Sequence, residues 1–190
     1  MIEFVYRHKK RKTGEGYVTH LYAVKRILQE EGVSDPTILN AALLHDVLED
    51  TQIPKEYLAI KFGKRVADIV WVLSKDSRWK TDYCKMKSNL DEIAMEKYPA
   101  AMLIKMADRL HNLQTIHGFL PEKQQEYLDE TKQMLVPVFK NLINKMCLGE
   151  LRNYGVSILR KLNQEIRNIE YRNLYLTPNE HQRNQSTVQA

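Results

Sequence analysis

A short apolar run in the first third of the chain carries four ionisable side chains, and this combination limits what the chain can fold into. The run is Asn40-Ala-Ala-Leu-Leu-His-Asp-Val-Leu-Glu-Asp50, and its ionisable members are His45, Asp46, Glu49 and Asp50. On a helix of about 3.6 residues per turn, the histidine lies one turn from the glutamate and the two aspartates lie one turn apart, so all four share one broad sector. Three carboxylates that close repel one another and are costly to desolvate. The run therefore predicts a cation or a solvent-filled cleft, and a divalent metal is the simplest such cation.

The length and composition of the chain predict one soluble globular domain, or one domain with a tail. Of 190 residues, 43% are hydrophobic and 28% charged, and no stretch approaches the roughly 20 apolar residues of a membrane span. Cys84 and Cys147 lack metal-binding spacing and no export signal is visible, so we expect reduced thiols in a cytoplasmic protein. The net charge of +5 is compatible with a nucleic acid or a phosphorylated small molecule as the binding partner. Basic residues are dense only over 7–12, so we favour a solvated or phosphate-facing cluster over a nucleic-acid groove.

Helical periodicity recurs along the first half of the chain. Apolar residues keep the i, i+3, i+4 spacing of an amphipathic helix over 17–31. Asp35 then supplies an N-cap and Pro36 a first helical residue, which predicts that the helix with the opening run starts there. A short helix ending at Gly63 follows. Residues 65–73 again carry an apolar helical face; their β-branched members also permit a strand, but the context favours a helix.

A polar interruption separates the two halves. Residues 74–88 are polar and basic, and they predict a loop or a mobile flap. Asn89 can cap a helix toward Lys97, and Pro99 begins a further helix. The sequence contains no alternating strand pattern, no glycine-rich phosphate loop and no internal repeat, so the predicted fold class is all-α.

The last third of the chain predicts helices that complete this bundle. Residues 121–146 keep helical spacing, and Pro137 is expected to kink or divide that segment. A final helix is expected over about 150–175. The segment 177–190 is almost without apolar residues and is predicted to be disordered, which leaves 1–176 as the expected domain.

A second group of polar residues lies on the helix that Pro99 begins. Asp108, His111 and Asn112 share one face by their i, i+3 and i, i+4 spacing. His20 lies upstream, where the first long helix begins. Each residue alone has an ordinary explanation as a core or surface residue, but their combination with the opening run points to a composite site.

This ordered set of motifs resembles the HD superfamily of metal-dependent phosphohydrolases, and within it the alarmone hydrolase domains of RelA/SpoT-type proteins. The matching segments, over roughly residues 5–120, are Arg11-Lys-Thr-Gly-Glu-Gly-Tyr-Val-Thr-His20, Leu43-Leu-His-Asp-Val-Leu-Glu-Asp-Thr51, Phe62-Gly63, Ser74-Lys75 and Ile104-Lys-Met-Ala-Asp-Arg-Leu-His-Asn-Leu113. The resemblance implies an HD-domain helical bundle. The chain departs from the frequent family pattern at Leu21 and Gly16, where many members have proline.

The resemblance also implies a division of labour around one metal. The implied ligands of a divalent ion, usually manganese, are His20, His45, Asp46 and Asp108. Two imidazoles and two carboxylates suit an ion that keeps positions open for water and substrate. Glu49 and Asp50 match the pair that handles the attacking water, since a neighbouring carboxylate can take its proton.

Five residues match substrate-binding positions of the family. Arg11 and Lys12 match the basic pair that contacts the nucleotide, and Thr13 follows it. Asn112 and Thr115 match positions of the nucleoside pocket, where an amide and a hydroxyl can read base or ribose edges. The basic residues just before this pair have no match and are expected to be surface charge: Arg7, Lys9 and Lys10.

The resulting hypothesis is a cytoplasmic, manganese-dependent hydrolase that removes the 3′-pyrophosphate of guanosine tetra- and pentaphosphate, giving GDP or GTP and pyrophosphate. Because the chain is too short for the synthetase and regulatory modules of long RelA/SpoT proteins, it would act alone. One alternative is an HD phosphohydrolase for another nucleotide, such as a 2′- or 3′-phosphorylated dinucleotide. Another is a catalytically silent HD domain that senses a nucleotide. The expected partner is a small nucleotide, without a membrane or a nucleic acid.

Overall fold

The regular structure of the chain is helical. The computed structural model describes residues 1–74 and 97–175, and within these ranges the only strand-like feature is an isolated antiparallel bridge between Lys10 and Gly16. The prediction of an all-α fold is therefore confirmed. The predicted flap over 74–88, of which only Ser74 is described, the helix capped by Asn89 and the tail 177–190 lie outside the described residues.

Six helices form the first half of the described structure. They are α1 (Ile2–Val5), α2 (Val18–Glu30), α3 (Pro36–Leu44), α4 (Val47–Asp50), α5 (Lys55–Phe62) and α6 (Lys64–Leu73). The predicted start of α3 is confirmed, because the side chain of Asp35 accepts a hydrogen bond from the backbone N–H of Thr37 at 2.8 Å. Gly32, with a φ of +96°, allows the sharp exit from α2 that a residue with a Cβ rarely adopts.

The opening run is not one continuous helix, and this corrects the sequence-based prediction. Helix α3 ends at Leu44, a turn holds His45 and Asp46, and α4 starts at Val47. The Nδ1 atom of His45 bonds to the carbonyl of Ala42 at 2.8 Å, the carbonyl that would accept from the backbone of Asp46 in an unbroken helix. The interruption turns these two side chains toward the interior of the bundle.

The second half contains four α-helices and two irregular turns. They are α7 (Pro99–Gln114), a 3₁₀ turn (Ile116–Gly118), α8 (Pro121–Glu130), a π-helical turn (Thr131–Leu135), α9 (Val136–Lys145) and α10 (Glu150–Tyr175). The π turn immediately precedes Pro137, whose ring cannot fit an ordinary helix interior. The expected division at this proline is confirmed.

Helix α7 lies at the centre of the core. It packs against α2, α3, α6 and α10, and all but a few of its residues are buried. Gly155 of α10 permits close approach, because a Cβ there would lie 3.2 Å from Ile143 and 3.5 Å from Leu103. Since one apolar core joins residues from α1 through α10, we propose that 1–176 form a single domain. No helix in the described part is long and apolar enough to cross a membrane.

Candidate metal and nucleotide site

Three separate parts of the fold bring the four predicted metal ligands together. His20 comes from the first turn of α2, Asp108 from the middle of α7, and His45 and Asp46 from the turn between α3 and α4. The Nε2 atom of His20 lies 3.2 Å from Oδ1 of Asp108, and Nε2 of His45 lies 3.0 Å from Oδ2 of Asp46. The two cross distances, His20 to Asp46 and His45 to Asp108, are both 3.8 Å. The side chains therefore converge on one point, as the predicted site requires.

Hydrogen bonds on the far side of each imidazole orient the two histidines. His45 uses Nδ1 for the carbonyl of Ala42, and His20 uses Nδ1 for Nδ1 of His111 at 2.8 Å. If Nδ1 carries the proton in each neutral ring, both Nε2 atoms present a lone pair to the cluster, which is the form that binds a metal. The backbone and a third histidine thus select the ligand-competent tautomer.

His111 is suited to accept a hydrogen bond from Nδ1–H of His20. Burial, followed by the nearby His20 and Arg11, lowers the pKa of His111 to about 4. The ring is therefore neutral near pH 7, and its Nδ1 can accept a hydrogen bond. Burial also lowers the pKa of His20, although Asp108 opposes this effect, so His20 is neutral as well.

The two buried carboxylates are held ionised by their neighbours. Burial disfavours ionisation of Asp46, but His45 and a 2.6 Å hydrogen bond donated by the Tyr17 hydroxyl hold its pKa well below its usual range. Burial acts in the same direction on Asp108, whose pKa is likewise held low, chiefly by Lys105 at 3.3 Å. Both side chains are consequently anionic donors across the physiological pH range.

The donor set fits a divalent cation. His20, His45 and Asp108 offer ligand atoms that all lie within 4.8 Å of one another, and Asp46 adds a second carboxylate beside them. The Nε2 atom of His45 is buried, and although Oδ2 of Asp46 lies 3.0 Å away, the pair lacks the geometry of a hydrogen bond. Burial lowers the pKa of His45, but Asp46 and Asp108 raise it more strongly, to about 9. In the metal-free protein a proton therefore occupies the position that a metal ion can take.

Three of the five predicted nucleotide-binding residues lie next to this cluster. The guanidinium of Arg11 donates to Oδ1 of Asn112 at 3.0 Å and to Oγ1 of Thr115 at 2.8 Å. The amide of Asn112 in turn donates to Oδ1 of Asp108 at 2.7 Å. A continuous line of hydrogen bonds therefore joins the predicted phosphate-binding arginine to a predicted metal ligand.

The other two predicted nucleotide-binding residues make different contacts. The ammonium of Lys12 lies 4.5 Å from the centre of the Phe119 ring. The hydroxyl of Thr13 donates to Glu15 at 2.9 Å, and its methyl packs so tightly on Gly118 that a Cβ there would lie 2.6 Å away. The structure thus places both residues beside the 3₁₀ turn and does not join them to the contacts of Arg11.

The predicted water-handling pair lies at the end of the single-turn helix α4. Glu49 and Asp50 are both exposed, in contrast to the neighbouring buried ligands. Oδ1 of Asp50 forms an ion pair with Nζ of Lys9 at 2.5 Å. The expectation that Lys9 is simple surface charge is therefore wrong, because its ammonium meets a predicted catalytic side chain.

Comparison with known proteins agrees with this geometry. The family model described as HD domain matches residues 1–144, which is most of the chain. The chain belongs to the HD domain family. The resemblance drawn from the sequence motifs is thereby confirmed.

Relatives of this HD domain carry names from alarmone metabolism. The chain is 36% identical over 156 residues to a Streptomyces coelicolor protein named GTP pyrophosphokinase, matching 81% of this chain and 18% of the relative. It is 35% identical over 153 residues to an Aquifex aeolicus protein named guanosine-3′,5′-bis(diphosphate) 3′-pyrophosphohydrolase, matching 80% of this chain and 22% of the relative. The chain thus spans about a fifth of the length of these relatives.

A solved structure resembles this HD domain over nearly its whole length. It is that of a metazoan orthologue of SpoT described as hydrolysing ppGpp, with 28% identity and a TM-score of 0.67. The match covers 88% of this chain and 90% of the metazoan chain. The similarity therefore extends to a protein of comparable size.

Sequence patterns alone missed three neighbours of the HD site and gave no role to a fourth, His111, which they had placed on the face of Asp108. Tyr17, Lys105 and His111 each contact a predicted metal ligand, and Lys9 contacts the predicted water-handling pair. The i, i+3 spacing of Lys105 and His111 around Asp108 was the one available signal for two of them. Nothing in the local sequence indicates the contacts of Lys9 or Tyr17, because their partners come from another part of the chain.

Proposed function

We propose that this HD domain hydrolyses the 3′-pyrophosphate of guanosine tetra- and pentaphosphate, giving GDP or GTP and pyrophosphate. The observation that carries the proposal is that two hydrogen bonds of Asn112 join Arg11 to Asp108, one of the four proposed metal ligands. A substrate with phosphates at the cluster and a nucleoside near Thr115 would meet both features at once. The names of the Aquifex relative and of the metazoan neighbour support the choice of substrate.

We propose that the ligands of the metal ion are His20, His45, Asp46 and Asp108, and that the ion is Mn²⁺. Two nitrogen and two carboxylate donors suit a borderline-hard ion with positions left for water and substrate. When bound, such an ion acts as a Lewis acid and lowers the pKa of water. The buried Nε2 of His45, which faces Asp46 without the geometry of a hydrogen bond, and the oriented Nε2 of His20 support this assignment.

The remaining site residues would divide the work of binding and proton transfer. Glu49 and Asp50 orient the attacking water and accept its proton, which suits exposed carboxylates in the helical turn that follows Asp46. Arg11 and Lys12 bind phosphate oxygens, where their charge offsets the charge that develops during the reaction. Asn112 and Thr115 hold the nucleoside, and Thr13, directly after the basic pair, completes the set of substrate-binding residues.

The proposal includes the setting in which this chemistry takes place. The partner is a small nucleotide, and the location is the cytoplasm. A compact basic group beside an acidic cluster favours a small phosphorylated molecule over a nucleic acid, because a polymer requires an extended basic surface. No contact with a membrane is needed for such a reaction.

The test is product analysis with the purified chain. Guanosine tetraphosphate incubated with the protein and Mn²⁺ should give GDP and pyrophosphate, and Mg²⁺ and Co²⁺ serve as alternative ions. Asp46→Asn removes one anionic donor and should abolish turnover, whereas Asp35→Asn, the same change at a helix cap that accepts either residue, should leave it intact.

Other results would select the alternatives. Hydrolysis of a 2′- or 3′-phosphorylated dinucleotide with the tetraphosphate left intact would identify a different substrate. Tight binding of the tetraphosphate without any product would identify a sensor. Either result would refute the proposed reaction.

A further inference from the structure

The backbone of Lys9 is fixed on both sides. Its N–H donates to the carbonyl of Tyr6 at 3.0 Å, and its own carbonyl accepts from the N–H of Tyr17 at 2.8 Å. The segment then folds back on itself, since the N–H of Arg11 donates to the carbonyl of Glu15 at 2.8 Å. Lys9 is thus anchored at the base of the same loop that presents Arg11 to the site.

The side chain of Lys9 lies against two aromatic rings. Its ammonium is 4.0 Å from the centre of the Tyr17 ring and 5.6 Å from that of Tyr6. The two rings stack with their centres 5.0 Å apart, and Tyr6 is buried with 3% exposure. A cation over aromatic faces is attracted to them, so the rings restrict where the ammonium can lie. Its position is set before any substrate binds.

Lys9 contacts Asp50, and the Tyr17 ring beneath its ammonium contacts the proposed metal ligand Asp46. Nζ lies 2.5 Å from Oδ1 of Asp50, while the hydroxyl of Tyr17 donates to Oδ2 of Asp46 at 2.6 Å. One small unit therefore contacts both a predicted metal ligand and a predicted water-handling carboxylate. The distance between Asp46 and Asp50 therefore depends on Tyr17 and Lys9, which link the two carboxylates.

The contribution of this ion pair to folding is small. The side chains of Lys9 and Asp50 are 40% and 22% exposed, and ion pairs that solvent can reach add little to stability. By contrast, Asp50 ends a helix of a single turn, and Thr51 after it is extended, so the backbone alone fixes its carboxylate poorly. The contact therefore matters for the orientation of this carboxylate.

We propose that Lys9 is a positioning residue that holds the carboxylate of Asp50 at the metal cluster in the orientation needed to accept the proton of the attacking water. The inference rests on the proposed function, because it takes Asp50 as a proton acceptor. Lys9 acts through Asp50 and does not touch the substrate. Its loss accordingly slows the chemical step and leaves substrate and metal binding nearly unchanged.

A double-mutant cycle tests this inference. We expect Lys9→Met, which keeps an unbranched side chain of nearly the same length and removes the charge, to lower kcat by about tenfold to a hundredfold, with KM and the Kd for Mn²⁺ within about twofold of wild type. In an Asp50→Asn background the same change should have no further effect on kcat, because the carboxylate it positions is gone. Lys9→Arg should recover part of kcat, and Lys10→Met at the exposed neighbour should match wild type.

Three outcomes would overturn the inference. They are an unchanged kcat in Lys9→Met, a loss that appears in KM alone, and a loss of equal size in the Asp50→Asn background. If wild-type protein leaves guanosine tetraphosphate intact, the proposed substrate fails, and the cycle is measured instead on bis(4-nitrophenyl) phosphate. Coupling of Lys9 to Asp50 on that ester would uphold the inference, and no turnover of either compound by wild type would overturn it together with the proposed function.

Discussion

Binding of a divalent metal to this protein should release one proton, because one of the proposed ligands, His45, carries a proton in the metal-free site. In the metal-free site the pKa of His45 is about 9, so at pH 7.5 most of the protein carries a proton on that imidazole. The pKa of His20 is lowered and those of both ligand aspartates are held low, so these groups carry no proton to release. A metal ion binds only the neutral imidazole and must displace the proton of His45.

The expected magnitude follows from the same pKa. From about one pH unit below this pKa, the fraction of neutral His45 falls nearly tenfold for each further pH unit, so the apparent Kd for Mn²⁺ should rise about thirtyfold between pH 8.0 and pH 6.5. Isothermal titration calorimetry in two buffers of different ionisation enthalpy gives the number of protons directly. Release of no protons, or of two, would refute the reasoning, as would a Kd that does not change over this range.

The same pKa governs the stability of the metal-free fold. In the folded protein the pKa of His45 is raised to about 9, above its value of about 6.5 in an unfolded chain. Stability from the protonated imidazole is therefore fully present below pH 6.5 and is lost as the pH rises through 9. In the presence of EDTA, the Tm should fall between these pH values, and added Mn²⁺ should reverse that fall.

Three further predictions concern the surroundings of the site and the core. His111→Ala removes the acceptor that orients His20 and should weaken Mn²⁺ binding by about tenfold to a hundredfold, measured by calorimetry. Gly118→Ala would place a Cβ 2.6 Å from the methyl and 3.1 Å from the backbone nitrogen of Thr13, and the displaced loop should raise KM more than it lowers kcat in steady-state assays. Ile158→Ala in α10 empties a fully buried position and should cost about 2–5 kcal/mol in urea unfolding, whereas Val156→Ala, 37% exposed, should cost far less.

Helix boundaries could be predicted from the sequence wherever local chemistry sets them. Asp35 with Pro36 marks the start of α3, Pro99 marks the start of α7, and the last helix spans 150–175 as expected. Caps and prolines act on residues within one turn, so their effect is visible in a short window of sequence. The break after Leu44 was not predicted, because it accompanies a hydrogen bond between the His45 side chain and the carbonyl of Ala42 that no sequence pattern indicates.

The residues of the candidate site could be predicted from the sequence, but the contacts that neighbouring side chains make with them could not. Periodicity placed Asp108 and Asn112 on one helix face, and the family motif suggested that His20 and His45 join them, which the distances bear out. The contact of Lys9 could not be foreseen, because it depends on packing between segments far apart in sequence. Such packing is set by the whole core and leaves no local signal.

The side chain of Asn112 would make metal binding and nucleotide binding at the proposed site thermodynamically dependent on each other. Its NH₂ group faces Asp108 and its oxygen faces Arg11, so rotating the amide by half a turn would set like polarities against one another on both sides. Any ligand that moves either neighbour therefore changes the energy of the other contact. The metal should alter nucleotide affinity by the same factor by which the nucleotide alters metal affinity, whichever of the two binds first.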